Sequence, residues 1–181
     1  MIGLTHALVL GGVTDFSFVQ EDDLWRGSEV HKIIHLAAKG TLDRATVPKE
    51  LLGYLAARDS FIRETGYMTL LTEQRVESRL LHVRGRIDDS GLMHGKRTLV
   101  EYKTGAIQPA VALQLALGGH LLEPQTWFSR YAVQLKPDGS YTVKNFALME
   151  WYADVQTALA CVRVAQWRVK HGLDGQLKGG A

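Results

Sequence analysis

Two short segments, Gly85-Arg86-Ile87-Asp88 and Glu101-Tyr102-Lys103-Thr104-Gly105, constrain the fold of this chain more than any other feature. Each lies in or just after an alternating or apolar run, and residues 88–91 with Gly95-Lys96 indicate a hairpin loop between them. If residues 82–88 and 97–103 pair as antiparallel strands, Asp88 ends one strand and Glu101 and Lys103 lie near the end of the next. Residues i and i+2 of a strand share a face, so Glu101 and Lys103 point the same way and Tyr102 points away.

This predicted cluster has the chemistry of a hard-metal site. Asp88 and Glu101 supply the oxygen ligands that Mg²⁺ or Mn²⁺ prefers, and the Lys103 ammonium lies beside them. A divalent ion held there would polarise a phosphate and lower the pKa of a coordinated water, and Lys103 would orient that water or stabilise developing charge. The spacing also fits a surface ion pair between Glu101 and Lys103, worth little, with Asp88 as a turn residue. Both interpretations stay open at this point.

Histidines provide a further candidate ligand. His31 lies in Arg26-Gly27-Ser28-Glu29-Val30-His31, inside a predicted helix, where its imidazole would bind a metal, contact a phosphate or simply pack. His35 follows one turn later on the same side of that helix. The glutamate expected between the two histidines of a zinc helix motif is missing, so no zinc site is predicted.

Four more polar residues are candidates for substrate binding or for support of the site. Glu73 begins an alternating strand and is either another acidic group of the site or an exposed carboxylate. Gln114, in an Ala/Leu-rich helix, would reach back to the site or mark the wet face of the helix. Arg84 and Arg86 share a strand face, where they form a phosphate-binding stripe or solvated hairpin charges.

The remaining patterns predict an α/β domain with a small central sheet flanked by helices. The predicted elements are a short strand at 7–10, an acidic turn at 21–23, helices at 28–39 (N-cap Ser28) and 48–66, three strands within 68–102, a helix from Pro109 to 122, a hairpin of 127–135 and 141–148, and a helix at 149–170. A single domain over 1–181 is expected, with segment 1–25 and the Gly-rich tail 172–181 as its most flexible parts.

Composition excludes several classes of protein. The net charge is only +2, so nucleic-acid binding would depend on local clusters of basic residues. The single cysteine, Cys161, excludes a disulfide framework and any four-cysteine zinc or iron–sulfur site. No basic segment precedes the apolar run 8–13, and no run reaches the roughly 20 residues of a membrane span. We therefore expect a cytoplasmic protein with no membrane partner.

Taken together, these segments resemble the PD-(D/E)XK nuclease superfamily, specifically its RecB-like branch. The matching elements, in family order, are Gly27-x-x-x-His31, Glu73, Gly85-x-x-Asp88, Glu101-x-Lys103 with Thr104-Gly105, and Gln114. They span roughly half of the chain. From Arg26-Gly27 to the turn around Pro137-Asp138-Gly139, the sequence is similar to small phage or prophage nucleases of this branch.

The resemblance implies a restriction-endonuclease-like core, a central mixed β-sheet flanked by helices. It implies that His31, Asp88, Glu101 and the Tyr102 backbone carbonyl bind the catalytic Mg²⁺ or Mn²⁺, and that Lys103 assists the attacking water. Gln114 would position the substrate or the site.

The sequence departs from the family pattern, or from that of some family members, at three points. The glutamine motif usually continues to a tyrosine four residues on, where this chain has Gly118, which puts the substrate-contact role of that helix in doubt. Glu101 replaces the more usual aspartate, a variation that the family permits. Relatives with an iron–sulfur cluster need four cysteines, so that cluster is excluded here.

The leading hypothesis is a Mg²⁺- or Mn²⁺-dependent DNA nuclease, an exonuclease or end-processing enzyme of phage recombination or repair, acting in the bacterial host cell. A second hypothesis is a nucleic-acid-binding or phage accessory protein that keeps the fold with little or no catalysis, and a third is a structural or protein-interaction domain. The resemblance leaves open a homo-oligomer or a recombination partner protein, the polarity of cleavage and the strandedness of the substrate.

Overall fold

One mixed β-sheet with helices on both faces organises the residues that the computed structural model describes, 1–15 and 20–175. The elements are β1 (Ile2–Gly3), α1 (Leu4–Leu10), α2 (Glu21–Ala38), α3 (Leu52–Thr65), β2 (Met68–Ser78), β3 (Val83–Met93), β4 (Lys96–Lys103), α4 (Val111–Leu122), β5 (Ser129–Leu135), β6 (Tyr141–Phe146) and α5 (Trp151–Lys170). Short 3₁₀ turns lie at Arg44–Thr46, Lys49–Leu51 and Leu148–Glu150. The predicted α/β class, with a central mixed sheet flanked by helices, is confirmed.

Strand β3 is the hub of the sheet because it contacts three other strands. Antiparallel β2 occupies one edge of β3 along nearly its whole length, from Val83 to Leu92. The other edge is shared: parallel β1 pairs with residues 83–84, and antiparallel β4 pairs with residues 89–93. Residues 85–88 therefore have no strand partner on that edge, and the sheet is split there.

The rest of the sheet follows from β4. Helix α4 connects β4 to β5, which pair in parallel, and β6 returns antiparallel to β5 around the turn at 136–140. Alternate residues of the central strands face opposite cores, since Val100 packs with α2 and α3 whereas Leu99 packs with α4 and α5. Helix α1 adds a third cluster against α4 and α5.

Three predictions for the N-terminal part of the chain are wrong. Residues 7–10 belong to helix α1, because the apolar run packs Leu4, Leu8 and Leu10 into the cluster with α4 and α5. Helix α2 begins at Glu21, so Ser28 is inside the helix and not its N-cap. The acidic residues 21–23, predicted as a turn, form the first turn of α2, where the helix dipole favours negative charge. Residues 16–19 of the segment predicted to be flexible lie outside the described residues, as do residues 176–181 of the tail.

The predicted hairpin loop at 88–91 is also wrong, because these residues continue β3 and the turn comes at His94-Gly95. Asp88 is therefore in the middle of a strand. Asp89 is held in the strand by hydrogen bonds from the Tyr67 and Thr69 hydroxyls, at 2.9 and 3.0 Å. Polar residues typical of a turn thus form a buried strand because neighbouring side chains satisfy their hydrogen bonds. The helices and strands predicted from residue 97 onward are confirmed within a few residues.

A buried arginine joins β5 to the helices beneath the sheet. Arg130 is fully buried, pairs with Asp154 of α5 at 2.6 Å, and donates to the Ala112 and Ala147 carbonyls at 2.9 and 3.1 Å. Its guanidinium also lies over the Trp151 ring, 5.4 Å from the centroid. None of the helices within residues 1–15 and 20–175 is long and apolar enough to span a membrane.

We expect Asp154→Ala to lower the free energy of unfolding by about 3 kcal/mol, because it leaves a buried guanidinium without its counter-charge. Urea unfolding followed by circular dichroism measures the change. Asp174→Ala, at an exposed position after α5, is the matched control and should stay within about 0.5 kcal/mol of the parent. Equal stability of the two variants would show that Arg130 does not depend on Asp154.

Candidate active site

The split beside residues 85–88 opens into a cleft of about 590 Å³. Its polar lining comes from α2, from strands β2, β3 and β4, and from α4, and includes His31, His35, Glu73, Asp88, Glu101, Lys103 and Gln114. The Asp88 carboxylate lies where β3 and β4 separate and accepts a hydrogen bond from the Tyr102 backbone N–H at 3.0 Å. The Asp88 side chain therefore takes the place of the backbone carbonyl that a neighbouring strand would otherwise offer to this N–H.

Both strands at the cleft are irregular at the level of Asp88. Ile87 packs into the core with α4, yet Asp89, two residues on, contacts Tyr67 in the opposite core. Residues i and i+2 of a regular strand share a face. The side-chain alternation of β3 is therefore interrupted between Ile87 and Asp89. In β2, Glu73 falls between the pairs formed by residues 72 and 74 and has a left-handed φ of 52°. These two irregularities present Asp88 and Glu73 to the same cleft.

His31, Glu73 and Asp88 form a group that would hold a cation, with one ligand atom of each lying within 4.8 Å of the others. His31 Nδ1 is 3.4 Å from Asp88 Oδ1 and 3.8 Å from Glu73 Oε1. Ligand atoms around Mg²⁺ at about 2.1 Å lie about 3 Å apart when adjacent and about 4 Å apart when opposite. One imidazole and two carboxylates at these spacings fit a small divalent ion, which water and neighbouring oxygens would complete.

Glu101 and Lys103 form a second unit beside this group. Glu101 Oε1 accepts from Lys103 Nζ at 2.7 Å and from Gln114 Nε2 at 2.6 Å, so one carboxylate oxygen carries both contacts. Glu101 is buried, with 3% of its surface exposed, whereas Lys103 is half-buried at the cleft wall. Gln114, in the first turns of α4, thereby fixes the orientation of Glu101.

The charges of the site set the pKa values of its members. Asp88, 3.4 Å away, raises the pKa of His31 to about 10 despite the opposing effect of burial. Burial favours the neutral form of Asp88, but the charges of His31 and Lys103 outweigh it and lower the Asp88 pKa. For Glu101, burial and the charge of Asp88 together raise the pKa to about 7, against the effect of Lys103. The His31 and Arg86 contacts also outweigh burial at Glu73 and lower its pKa, so the site contains two ionised carboxylates and one that exchanges a proton near neutrality.

Hydrogen bonds behind the cleft fix the β2–β3 backbone. The Thr72 hydroxyl donates to the Asp88 carbonyl at 3.2 Å, and His35 Nδ1 lies 3.3 Å from the same hydroxyl. On the opposite face, Asp89 takes the Tyr67 hydroxyl, and burial raises the Asp89 pKa to about 7. Asp88 is therefore held from both sides of the strand.

The structure brings most of the sequence-predicted site residues together. His31, Glu73, Arg86, Asp88, Glu101, Lys103 and Gln114 all line the cleft, whereas Arg84 lines a neighbouring groove. Glu73, predicted as a supporting group, lies with His31 and Asp88, while Glu101, predicted as a ligand, is bound to Lys103 and Gln114. The Tyr102 side chain points into the core, as expected, and its backbone faces Asp88.

Sequence reasoning missed three residues that also line the cleft, Thr5, Ser28 and Lys32. Thr5 belongs to α1, next to residues 7–10 for which a strand was predicted, so nothing pointed to it. Ser28 was interpreted as a helix cap. The i, i+4 spacing of His31 and His35 did indicate that both face one side, and both line the cleft.

Solved structures that are similar to this one include two of the same exonuclease. An alkaline exonuclease (LHK-Exo) from Laribacter hongkongensis is similar with a TM-score of 0.40 and 14% identity, covering 94% of this chain and 93% of that chain. LHK-Exo in complex with dAMP gives a TM-score of 0.39 and 16% identity over 94% of this chain and 93% of that chain. A likeness of this size carries no argument about activity. No family model and no curated protein matches the chain.

We expect binding of Mg²⁺ or Mn²⁺ at pH 7.5 to release about one proton, because an imidazole with a pKa of about 10 must lose its proton to become a ligand. For the same reason the affinity should rise with pH across the neutral range. Calorimetric titrations in buffers of different ionisation enthalpy give the proton count. His31→Asn should abolish the release and His171→Asn, at the exposed end of α5, should keep it; a parent that releases no proton would contradict His31 as a ligand.

We expect Glu73→Gly to be more stable than Glu73→Gln by about 1 kcal/mol, since both lose the carboxylate but only glycine adopts the left-handed φ without cost. Both variants should bind Mn²⁺ more weakly than the parent. Urea unfolding and calorimetry measure the two effects. The same pair at Glu77, an exposed position in β2, is the control, and there glycine should be the less stable variant by about 0.5–1 kcal/mol. The same sign at both positions would argue against strain at Glu73.

Proposed function

We propose that this protein is a divalent-metal-dependent DNA nuclease that hydrolyses phosphodiester bonds in the cleft at the split of the sheet. The observation that carries the proposal is the group of His31, Glu73 and Asp88 lying beside the Glu101–Lys103 pair in an open cleft. Carboxylates, an imidazole and an ammonium in this arrangement suit the binding of a metal ion and of an anionic substrate. Mg²⁺ or Mn²⁺ is the proposed ion.

The bound ion would supply Lewis-acid activation of the phosphate and of water. The chain's own residues do the rest. Asp88, fixed by the Tyr102 N–H, presents one carboxylate oxygen to the cleft together with His31 and Glu73. Glu101, with a pKa of about 7, accepts a proton from the attacking water, and Lys103 stabilises negative charge on the phosphate.

The finer parts of the proposal come from the motif order. His31, Glu73, Asp88, Glu101-x-Lys103 and Gln114 follow the order of the PD-(D/E)XK superfamily and its RecB-like branch, with a restriction-endonuclease-like core. On that resemblance the substrate is DNA and the reaction is exonucleolytic or end-processing, in phage recombination or repair. All of these residues line one cleft, which supports reading them as one site.

A nucleic-acid-binding protein with little catalysis is the competing function, and Gly118 favours it. A Cβ at Gly118 would lie 3.2 Å from Ile87 Cγ1, so the tyrosine usual at this position of the family would fit only if the Ile87 side chain moved. Any substrate contact made by that tyrosine is therefore missing. Gln114, one turn earlier, instead bonds Glu101 directly.

We expect cleavage of end-labelled linear single- or double-stranded DNA in Mg²⁺ or Mn²⁺ and none in EDTA. Asp88→Ala, Glu101→Ala and Lys103→Ala should each lower the rate by about 100-fold or more, because each removes a ligand, a proton acceptor or a charge at the reacting phosphate. Gel analysis of the products gives the rates. A closed circle in the same assay separates exonuclease from endonuclease action.

Lys96→Ala, at the exposed start of β4, is the matched lysine control and should cleave at the parent rate. Circular dichroism and thermal melting check that each variant is folded. Cleavage at the parent rate by folded Asp88→Ala and Lys103→Ala would refute the site. A folded parent that binds DNA but cleaves nothing with either metal would favour the binding protein.

A further inference from the structure

A second groove, of about 490 Å³, leads away from the cleft along the first half of β3. Its polar lining comes from Thr5 and His6 of α1, Arg75 and Glu77 of β2, Arg84 and Arg86 of β3, and Gln114 of α4, so three arginines outnumber one carboxylate. We call it the arginine groove. Thr5, Arg86 and Gln114 also line the cleft, so the two depressions are continuous along the open edge of β3.

The three arginines of the groove lie close together on the β2–β3 ladder, where their positive charges repel one another. Arg75 lies directly opposite Arg86 in the β2–β3 ladder, and Arg84 follows on β3 with two-residue spacing. Like charges directly opposite each other in a ladder are destabilising. Only Arg86 is compensated, through its 2.7 Å bond to Glu73 at the cleft.

The other two guanidiniums are left for a ligand. Within residues 1–15 and 20–175, neither Arg75 nor Arg84 forms a side-chain ion pair, although Glu77 is opposite Arg84 in the ladder. Both side chains are exposed at the groove wall. No Phe, Tyr or Trp of the described chain lines the groove, and the His6 imidazole is the one ring among its lining residues, so the groove offers mainly cationic hydrogen-bond donors.

We propose that the arginine groove holds the sugar-phosphate backbone of one DNA strand next to the phosphate in the cleft, with Arg75 and Arg84 as phosphate contacts and no selection of base. The proposal rests on the proposed nuclease function. It adds the direction in which the DNA leaves the cleft and the single-stranded form in which the groove holds it. A volume of about 490 Å³ is that of a small-molecule pocket and suits one or two nucleotides of a single strand. A depression of this volume cannot enclose a duplex, so only one strand of the DNA would contact its wall.

The test is the salt dependence of binding, measured without metal so that nothing is cleaved. Fluorescence anisotropy follows a labelled 16-nucleotide oligothymidylate and a labelled blunt 16-base-pair duplex at several salt concentrations. Arg75→Gln with Arg84→Gln should weaken binding of the single strand and make the slope of log K against log salt shallower by about 1.4, two contacts at about 0.7 each. Arg163→Gln with Lys170→Gln, on exposed positions of α5, removes the same charge and should leave the slope unchanged.

The variant also has a second readout that an unfolded protein would not give. Because Arg75→Gln removes the repulsion from Arg86, it should melt no lower than the parent in the absence of DNA. An unchanged slope in the folded double variant would overturn the proposal, as would a duplex that loses as much affinity as the single strand. Failure of the nuclease function can be distinguished from failure of this proposal. In that case the parent would not cleave DNA, but the Arg75→Gln, Arg84→Gln variant would still have a shallower salt slope than the parent.

Discussion

The 3.0 Å hydrogen bond from the Tyr102 N–H to the Asp88 carboxylate takes the place of a ladder bond where β3 and β4 separate. Because β1 occupies only the beginning of the same edge of β3 and β4 only the end, the backbone between them is open to the cleft and to the groove. The bond fixes Asp88 and also satisfies a backbone donor that would otherwise be unpaired at the split. The candidate site thus exists because the sheet is incomplete at this place and because an aspartate stabilises the incomplete edge.

Several features of this region cost stability, and their coincidence is informative. Glu73 has a left-handed backbone, Glu101 is buried close to the charge of Asp88, and Arg75 faces Arg86. Each is unfavourable in the free protein, and ligands of opposite charge would relieve the two electrostatic costs, those of Glu101 and of the arginine pair. Elsewhere in the described chain the buried Arg130 has a carboxylate, two carbonyls and an aromatic ring as partners, and only its Nε lacks a hydrogen bond. The charge of Arg130, which stabilises the fold, is thus compensated within the protein. The charges near the split of the sheet are compensated fully only when a ligand binds.

The sequence predicted the centre of this site better than its walls. Strand alternation and one hairpin suffice to place Asp88 near Glu101 and Lys103, because all three depend on a single local pairing. The position of Glu73 beside His31 depends on the register of β2 against β3 and on a backbone reversal that no residue pattern announces. Thr5 lines the cleft only because α1 packs against α4 and α5, and an apolar run of four residues does not distinguish a helix from a strand.

The net charge of +2 conceals a separation of charge that matters more than the sum. The cleft balances three carboxylates against three lysine and arginine side chains, while the groove that continues from it along β3 has three arginines and one carboxylate. Without a cation, Glu73 and Asp88 oppose the approach of a phosphate to the cleft, whereas the arginine groove attracts the neighbouring phosphates of the same strand. Arg86, bonded to Glu73 at the boundary, belongs to both regions. A DNA strand held in the groove would therefore be positioned next to the cleft before a cation compensates the charge of the phosphate there. Binding of the DNA backbone and cleavage would then take place at adjacent parts of β3.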